Sequence, residues 1–114
     1  MSFEVKTTSD FDKSAKSLVK RYRSFKSDLR DLIVSLEENP EQGTELSPGI
    51  RKLRMAITSK GRGKAGGARV ITFTIVVSEN TGRVYLMDLY DKADYSTVDV
   101  RTIQKRLKDL GLLQ

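Results

Sequence analysis

The chain has 114 residues, of which 38% are hydrophobic and 32% charged, and it contains no cysteine, no histidine and no tryptophan. This length corresponds to one domain with one core, so we expect a single domain over residues 1–114. Without cysteine or histidine the chain has no disulfide framework, no thiolate nucleophile, no Ser-His-Asp triad and no ordinary zinc site.

The apolar segments of the chain are short. None of them is long enough to span a bilayer, and the N-terminus lacks the apolar stretch of a signal peptide. We therefore expect a cytoplasmic protein without a membrane partner.

The net charge of +6 comes from one window of the sequence. Residues 51–69 contain no acidic residue, and the rest of the chain sets fourteen basic residues against 15 acidic ones. The basic residues of this window are Arg51, Lys52, Arg54, Lys60, Arg62, Lys64 and Arg69. Such concentration predicts a site for a polyanion, and a solvated basic loop without a partner is the alternative interpretation.

The first forty residues predict a strand and two helices. Alternation over residues 2–6 is typical of a short strand, and Thr7 to Asp10 then offer N-cap oxygens. Apolar residues recur twice at helical spacing, with Ser24 as the cap of the second helix and Pro40 at its end. The two stripes are Phe11, Ala15, Leu18, Val19 and Tyr22, then Phe25, Leu29, Leu32, Ile33 and Leu36. We expect a helical hairpin that packs against a sheet.

The middle of the chain predicts a loop and then strands. Residues 41–50 are polar and contain glycine and proline, which predicts a loop. The most apolar strand has the composition of a central strand that is buried on both faces. Strands are expected over residues 51–58, 69–77 and 83–90, the second of these being the central one.

The last element is predicted to be a helix. Ser96 and Asp99 resemble a capping box, and Ile103 and Leu107 belong to the apolar stripe that follows. The predicted order is β-α-α-β-β-β-α. This order indicates an α+β fold with its helices on one face of a mostly antiparallel, twisted sheet.

The glycine-rich segment at residues 59–68 matches G-x-G-x-x-G through Gly61, Gly63 and Gly66. A dinucleotide site needs a helix after this motif, because the helix N-terminus receives the pyrophosphate, whereas here a strand follows. We interpret the segment as a mobile loop that approaches phosphate, with a plain hairpin connection as the alternative. No cofactor and no metal are expected.

Four basic residues are predicted to share the open face of the sheet. Alternation places Lys52 and Arg54 opposite Leu53 and its apolar neighbours. Arg69 begins the next strand, and Lys92 follows the last strand. Cations gathered in this way repel one another unless an anion binds, and a phosphodiester is such an anion.

Two segments of the chain resemble a family of bacterial toxins. The sequence KLRMAITSKGRGKAGGARVITF, followed by VYLMDLYDKAD, is similar to the RelE/ParE superfamily, and in particular to its HigB-like branch. The resemblance extends from Phe11 to about Ile103. It implies a RelE-like fold, metal-independent cleavage of mRNA at the ribosomal A site by 2′-OH attack, and a cognate antitoxin. It also allows a higher-order toxin–antitoxin complex.

The resemblance implies a role for each basic residue. Lys52 and Arg54 match the paired basic residues of the second strand, Arg69 the arginine that holds the scissile phosphate, and Lys92 the basic position after the last strand. Lys52 is the predicted general base, with Lys92 as the second candidate. The predicted RNA-binding residues are Arg51, Lys60, Arg62 and Lys64.

Some features of the chain keep other functions open. Ala93 stands where some members have a second basic residue, and only Tyr95 is near the C-terminal tyrosine of part of the family. A ParE-like inhibitor that contacts DNA gyrase without catalysis is one alternative, although that branch generally lacks the full basic set. A nucleic-acid-binding module without catalysis is another, and its binding would depend strongly on salt.

Overall fold

The structure is a computed structural model that describes residues 3–94 and 98–113. A short 3-10 turn at Thr58–Lys60 precedes the glycine-rich loop. Within the described part of the chain, no helix has both the length and the apolar character needed to cross a membrane. The elements are β1 (Glu4–Thr7), α1 (Ser9–Arg21), α2 (Phe25–Glu38), β2 (Thr44–Ser47), β3 (Ile50–Met55), β4 (Ala68–Ser78), β5 (Thr81–Asp91) and α3 (Val100–Asp109).

The strands form one five-stranded sheet in the order β1-β5-β4-β3-β2. Among the strand pairs of the described residues only β1–β5 is parallel, so the predicted α+β class with a mostly antiparallel sheet is confirmed. The prediction of a loop over residues 41–50 is wrong in part, because β2 lies within it and pairs with β3. β2 is a strand because its backbone pairs with β3, although most of its own residues are polar.

The helical hairpin forms as predicted, but its two caps differ. The Thr8 hydroxyl accepts from the Phe11 N–H at 3.4 Å and donates to the Leu86 carbonyl at 2.9 Å, which fastens the start of α1 to β5. Ser24 precedes α2 but does not cap it with its side chain. Helix α2 ends before Pro40, as expected.

The sheet is covered on both faces, which corrects the prediction that all helices lie on one face. Helices α1 and α2 pack on the face that carries Leu53, Val70 and Leu86. Helix α3 places Ile103 and Leu107 in a second core on the opposite face. That second core also contains Ile50, Ile71, Phe73 and Met87. Strand β4 is buried on both sides over residues 68–73 for this reason.

The start of α3 is capped by Asp99. Its carboxylate accepts from the Arg101 N–H at 2.9 Å, and this bond satisfies one of the unpaired donors of the first turn. Ser96, the other half of the predicted capping box, lies outside the described residues, as does Tyr95.

Helix α3 is predicted to contribute to global stability through its buried face. Ile103→Ala should lower the free energy of unfolding by about 2–5 kcal/mol, because Ile103 is fully buried and the substitution leaves a cavity. Leu110→Ala, at a side chain that is about half exposed, should change it by no more than about 0.5 kcal/mol. Urea unfolding of both variants is the measurement. Equal losses would mean that α3 is not anchored as described.

Candidate nucleic-acid interface

One face of the sheet is divided between an apolar end and a basic end. Strand register sets Arg54 opposite Arg69, and Arg69 opposite Tyr90, so these three residues form a row across β3, β4 and β5. The next row contains Lys52 opposite Ile71. Helix α3 packs against the apolar end of this face, and at the basic end Arg54 is exposed. Burial is the main cause that raises the pKa of Tyr90, and the nearby Arg69 charge partly opposes it.

The basic end forms a cavity of about 520 Å³. Among residues 3–94 and 98–113 it is lined by Gln42, Gly43, Thr44, Lys52, Leu53, Arg54, Lys64, Arg69 and Lys92, which include five cations and no carboxylate. We call this the cationic cavity. All four residues predicted to be catalytic line it, and they come from β3, from the start of β4 and from the end of β5.

Only Lys64 among the predicted RNA-binding residues lines the cationic cavity. The Arg51 guanidinium lies 3.8 Å from Glu41 and from Glu45, so carboxylates already neutralise its charge. Lys60 forms a 2.7 Å ion pair with a buried carboxylate, described below. Arg62 is exposed in the loop but does not line the cavity.

Four residues of the cavity wall, Gln42, Gly43, Thr44 and Leu53, were not predicted from the sequence to belong to the site. Gln42, Gly43 and Thr44 come from the segment that was expected to be a loop, and β2 brings them beside Lys52. The Gln42 side-chain nitrogen donates to Ser35 Oγ at 2.7 Å and to the Asn39 carbonyl at 2.9 Å. A polar edge strand such as β2 has no local sequence signal, because it is a strand only through its pairing with β3.

Arg69 fastens the glycine-rich loop to the sheet. Its guanidinium donates to the carbonyl oxygens of Lys64, Ala65 and Ala68 at 3.0–3.1 Å, and the residue is only 7% exposed. A guanidinium carries five N–H donors, so two of them have no partner among the described residues. Arg69 therefore positions Lys64 in addition to facing the cavity itself.

Lys92 is positioned through its backbone. Its N–H donates to the Gly67 carbonyl at 3.0 Å, so the residue after β5 is bound to the end of the glycine-rich loop. A Cβ at position 67 would overlap the Met55 carbonyl oxygen, and only glycine allows this close approach between the loop and β3.

A buried carboxylate behind the sheet holds the elements that carry the cavity. Asp91 accepts hydrogen bonds from Lys60 Nζ at 2.7 Å, from the Tyr22 hydroxyl and from the Ala93 N–H at 3.0 Å. The Arg21 guanidinium lies 3.1 Å from it. Burial acts to raise the pKa of Asp91, but the hydrogen bonds from Lys60, Tyr22 and Ala93 outweigh it and lower the pKa to about 2.

A second carboxylate fixes the turn that begins the loop. Asp28 on α2 accepts from the Thr58 N–H at 2.8 Å, from the Thr58 hydroxyl at 2.6 Å and from Ser24 Oγ at 2.7 Å. The Ser59 N–H donates in turn to Ser24 Oγ at 2.8 Å. Burial opposes ionisation, yet the hydrogen bonds from Thr58 and Ser24 lower the pKa of Asp28. Both ends of the turn at Thr58–Lys60 are therefore held by carboxylates, Thr58 by Asp28 and Lys60 by Asp91.

Comparison with known families gives no assignment for this chain, because no protein-family model matches it. Within residues 3–94 and 98–113, no group of three or more His, Cys, Asp or Glu side chains is arranged to hold a metal ion.

Asp91→Asn should reduce stability in a pH-dependent way. At pH 7 we expect a loss of about 3 kcal/mol, because Lys60 would remain buried without a counter-charge. The folded pKa of Asp91, about 2, lies below the unfolded value, so ionised Asp91 stabilises the fold above about pH 4. This contribution, on the order of 2 kcal/mol, disappears as the pH falls from about 4 to 2.

Urea unfolding at pH 7, 4 and 2 measures this difference between the parent and Asp91→Asn. The matched control is Asp94→Asn, which removes the other carboxylate that contacts Arg21. Asp94 is partly exposed, so its loss should cost no more than about 1 kcal/mol. A difference between Asp91→Asn and the parent that stays constant down to pH 2 would contradict the assignment.

Arg69→Ala should lower stability by about 2 kcal/mol, because three carbonyls of the loop and strand lose a charged donor. Arg54→Ala, at an exposed residue of the same row, should change stability by less than about 0.5 kcal/mol. Limited trypsin digestion after Arg62 and Lys64 should be faster only in Arg69→Ala. Equal digestion of both variants would mean that Arg69 does not hold the loop.

Proposed function

We propose that the protein is a metal-independent endoribonuclease that cleaves mRNA on the ribosome, the toxin of a cytoplasmic toxin–antitoxin pair. The observation that carries the proposal is the convergence of five cations, without a carboxylate, on one cavity of about 520 Å³. The resemblance of residues 52–73 and 84–94 to RelE-like toxins agrees with it.

The electrostatics of the cavity favour a phosphodiester as ligand. Like charges on neighbouring strands repel one another, and a bound polyanion turns this repulsion into attraction. Lys52, Arg54 and Arg69 extend from β3 and β4, so a rigid sheet holds them before the ligand arrives. Charge fixed in advance stabilises a transition state without reorganisation during the reaction.

The proposed reaction is an internal transesterification of RNA. In this step a neutral Lys52 amine accepts the proton of the ribose 2′-OH and becomes an ammonium, and the 2′ oxygen forms a bond to the adjacent phosphorus. The bond from phosphorus to the 5′ oxygen breaks, and Lys92 donates a proton to that leaving oxygen. The products are a 2′,3′-cyclic phosphate and a new 5′-hydroxyl end, and no water, metal or redox partner is consumed.

Arg54 and Arg69 stabilise the charge that develops on the phosphoryl oxygens. The two remaining N–H donors of Arg69 can engage the phosphate, while the other three stay on the loop carbonyls. Lys64, which the same loop carries, adds affinity for the RNA backbone. An antitoxin would silence the toxin by occupying or covering this cavity, and acidic groups on it would accelerate their association.

Lys52→Ala should abolish most cleavage while leaving the fold intact, because Lys52 faces the cavity rather than the core. Removal of one positioned proton acceptor should reduce the single-turnover rate by about 10²–10⁴. Arg69→Ala should reduce the rate by about 10²–10³, with partial recovery in Arg69→Lys, because one ammonium does not replace a planar fork. The measurement is cleavage of mRNA on programmed ribosomes with purified protein.

The matched control is Lys16→Ala, which removes an exposed lysine of α1 outside the cavity and should cleave at the parental rate. Equal loss in Lys16→Ala and Lys52→Ala would contradict the proposed site. Salt-sensitive RNA binding without a new 5′ end would identify a binding module instead. Inhibition of supercoiling by gyrase, without RNA cleavage, would identify the non-catalytic alternative.

A further inference from the structure

An apolar groove of about 250 Å³ lies at the other end of β4 from the cationic cavity. The end of α2 and the turn between β4 and β5 form its walls, and its apolar surface comes from Phe3, Pro40 and Val76. Val76 is 56% exposed, so part of this surface is open to a partner. Four carboxylates surround it, among them Glu38 and Glu79. We call this the acidic groove.

The carboxylates of the acidic groove are short of cations in their own chain. Among residues 3–94 and 98–113 no cation lines the groove, and Glu37, Glu38 and Glu79 have none within 4.0 Å. Glu41 shares Arg51 at 3.8 Å with Glu45. The last turn of α2 contains no basic residue, although the negative end of a helix dipole favours a cation there. The groove therefore suits a cationic partner that also has an apolar part.

The tip of the glycine-rich loop offers such a group. Arg62 is exposed and lies within 4.0 Å of no carboxylate in the described part of the chain. A Cβ at Gly61 or Gly63 would meet no atom within 4 Å beyond its chain neighbours, so the backbone on both sides of Arg62 projects from the protein. An arginine covers apolar surface with its stem while its guanidinium pairs with carboxylates.

We propose that the acidic groove of one copy binds the Arg62 loop tip of a second copy, so that the chain associates head to tail. Arg69 at the base of the loop and Val76 in the groove are separated by about 23 Å along β4, so the two surfaces of one copy do not meet. Opposite charges on the two surfaces fix the register of the contact. Neither this contact nor its test depends on the proposed cleavage of RNA.

The two surfaces of this contact are different, which makes the contact heterologous. Every added copy then leaves one groove and one loop unoccupied at the two ends of the assembly, and association continues with concentration. Sedimentation equilibrium at about 0.05 M salt, where charges are weakly screened, should show a molar mass that rises with protein concentration beyond that of a dimer. At about 0.5 M salt the Debye length falls to roughly 4 Å, and the mass should return to the 12.9 kDa of one chain.

Two variants separate the groove from the loop. Glu38→Lys/Glu79→Lys alters only the groove, and Arg62→Ala alters only the loop tip. Each alone should associate about tenfold or more weakly than the parent, because opposite charges no longer meet. An equimolar mixture should form a one-to-one pair and stop there, since only the Arg62 loop of the first variant and the intact groove of the second are complementary.

The matched controls make similar charge changes at exposed residues outside the groove and the loop. Asp12→Lys/Asp109→Lys is the control for the groove variant, and Lys16→Ala is the control for Arg62→Ala. Both should associate as the parent does. Equal weakening in the controls would overturn the proposal, because net charge rather than the groove would then govern association.

Three further results would also overturn the proposed contact. One is a parent that stays monomeric at low salt up to submillimolar concentration, and another is a dimer whose mass stops rising, which would identify a symmetric interface. The third is a mixture of the two variants that does not pair. An arginine-rich peptide that binds a monomeric parent, and binds Glu38→Lys/Glu79→Lys more weakly, would assign the groove to a foreign basic partner and overturn the second copy as its occupant.

Discussion

The buried carboxylate of Asp91 is the interaction on which the arrangement of the site depends. A carboxylate removed from water must find charged or polar donors, and here Tyr22, Lys60 and Arg21 provide them. These partners come from the joint between α1 and α2 and from the turn before the glycine-rich loop. Asp91 thus binds two distant parts of the chain to the end of β5, and its neighbour Lys92 lies at the cationic cavity.

The basic window separates into two groups with different physical roles. Arg51 and Lys60 are paired with carboxylates and contribute to the structure. The five cations of the cationic cavity have no carboxylate within 4.0 Å in the part of the chain that the structure describes. Arg69 is intermediate, because it is hydrogen-bonded to carbonyls that lower the cost of burying its charge without cancelling it. The net positive charge is therefore concentrated where a ligand can reach it.

The local pattern of the sequence was sufficient to predict the two central strands that carry the basic residues. Alternation over β3 placed Lys52 and Arg54 opposite Leu53, and the apolar run of β4 identified the central strand. The rest depended on contacts between distant residues. Thirty-one positions separate Lys60 from Asp91, so no local pattern could distinguish its pairing from a free basic side chain. The stripe of α3 identified a buried face but not which side of the sheet it covers.

The cationic cavity and a neighbouring cavity of about 280 Å³ beside α2 share Lys64, which lies on the loop that Arg69 holds. Lys64 lines both cavities, and its carbonyl accepts from the Arg69 guanidinium at 3.1 Å. A phosphate that binds the remaining donors of Arg69 draws on the same guanidinium that sets the position of Lys64. Phosphate binding at Arg69 and the position of Lys64 would therefore be coupled through a few hydrogen bonds, since a shift of this loop moves the border between the two cavities. A substitution that loosens the glycine-rich loop therefore changes the walls of both cavities, even where the substituted residue lines neither of them.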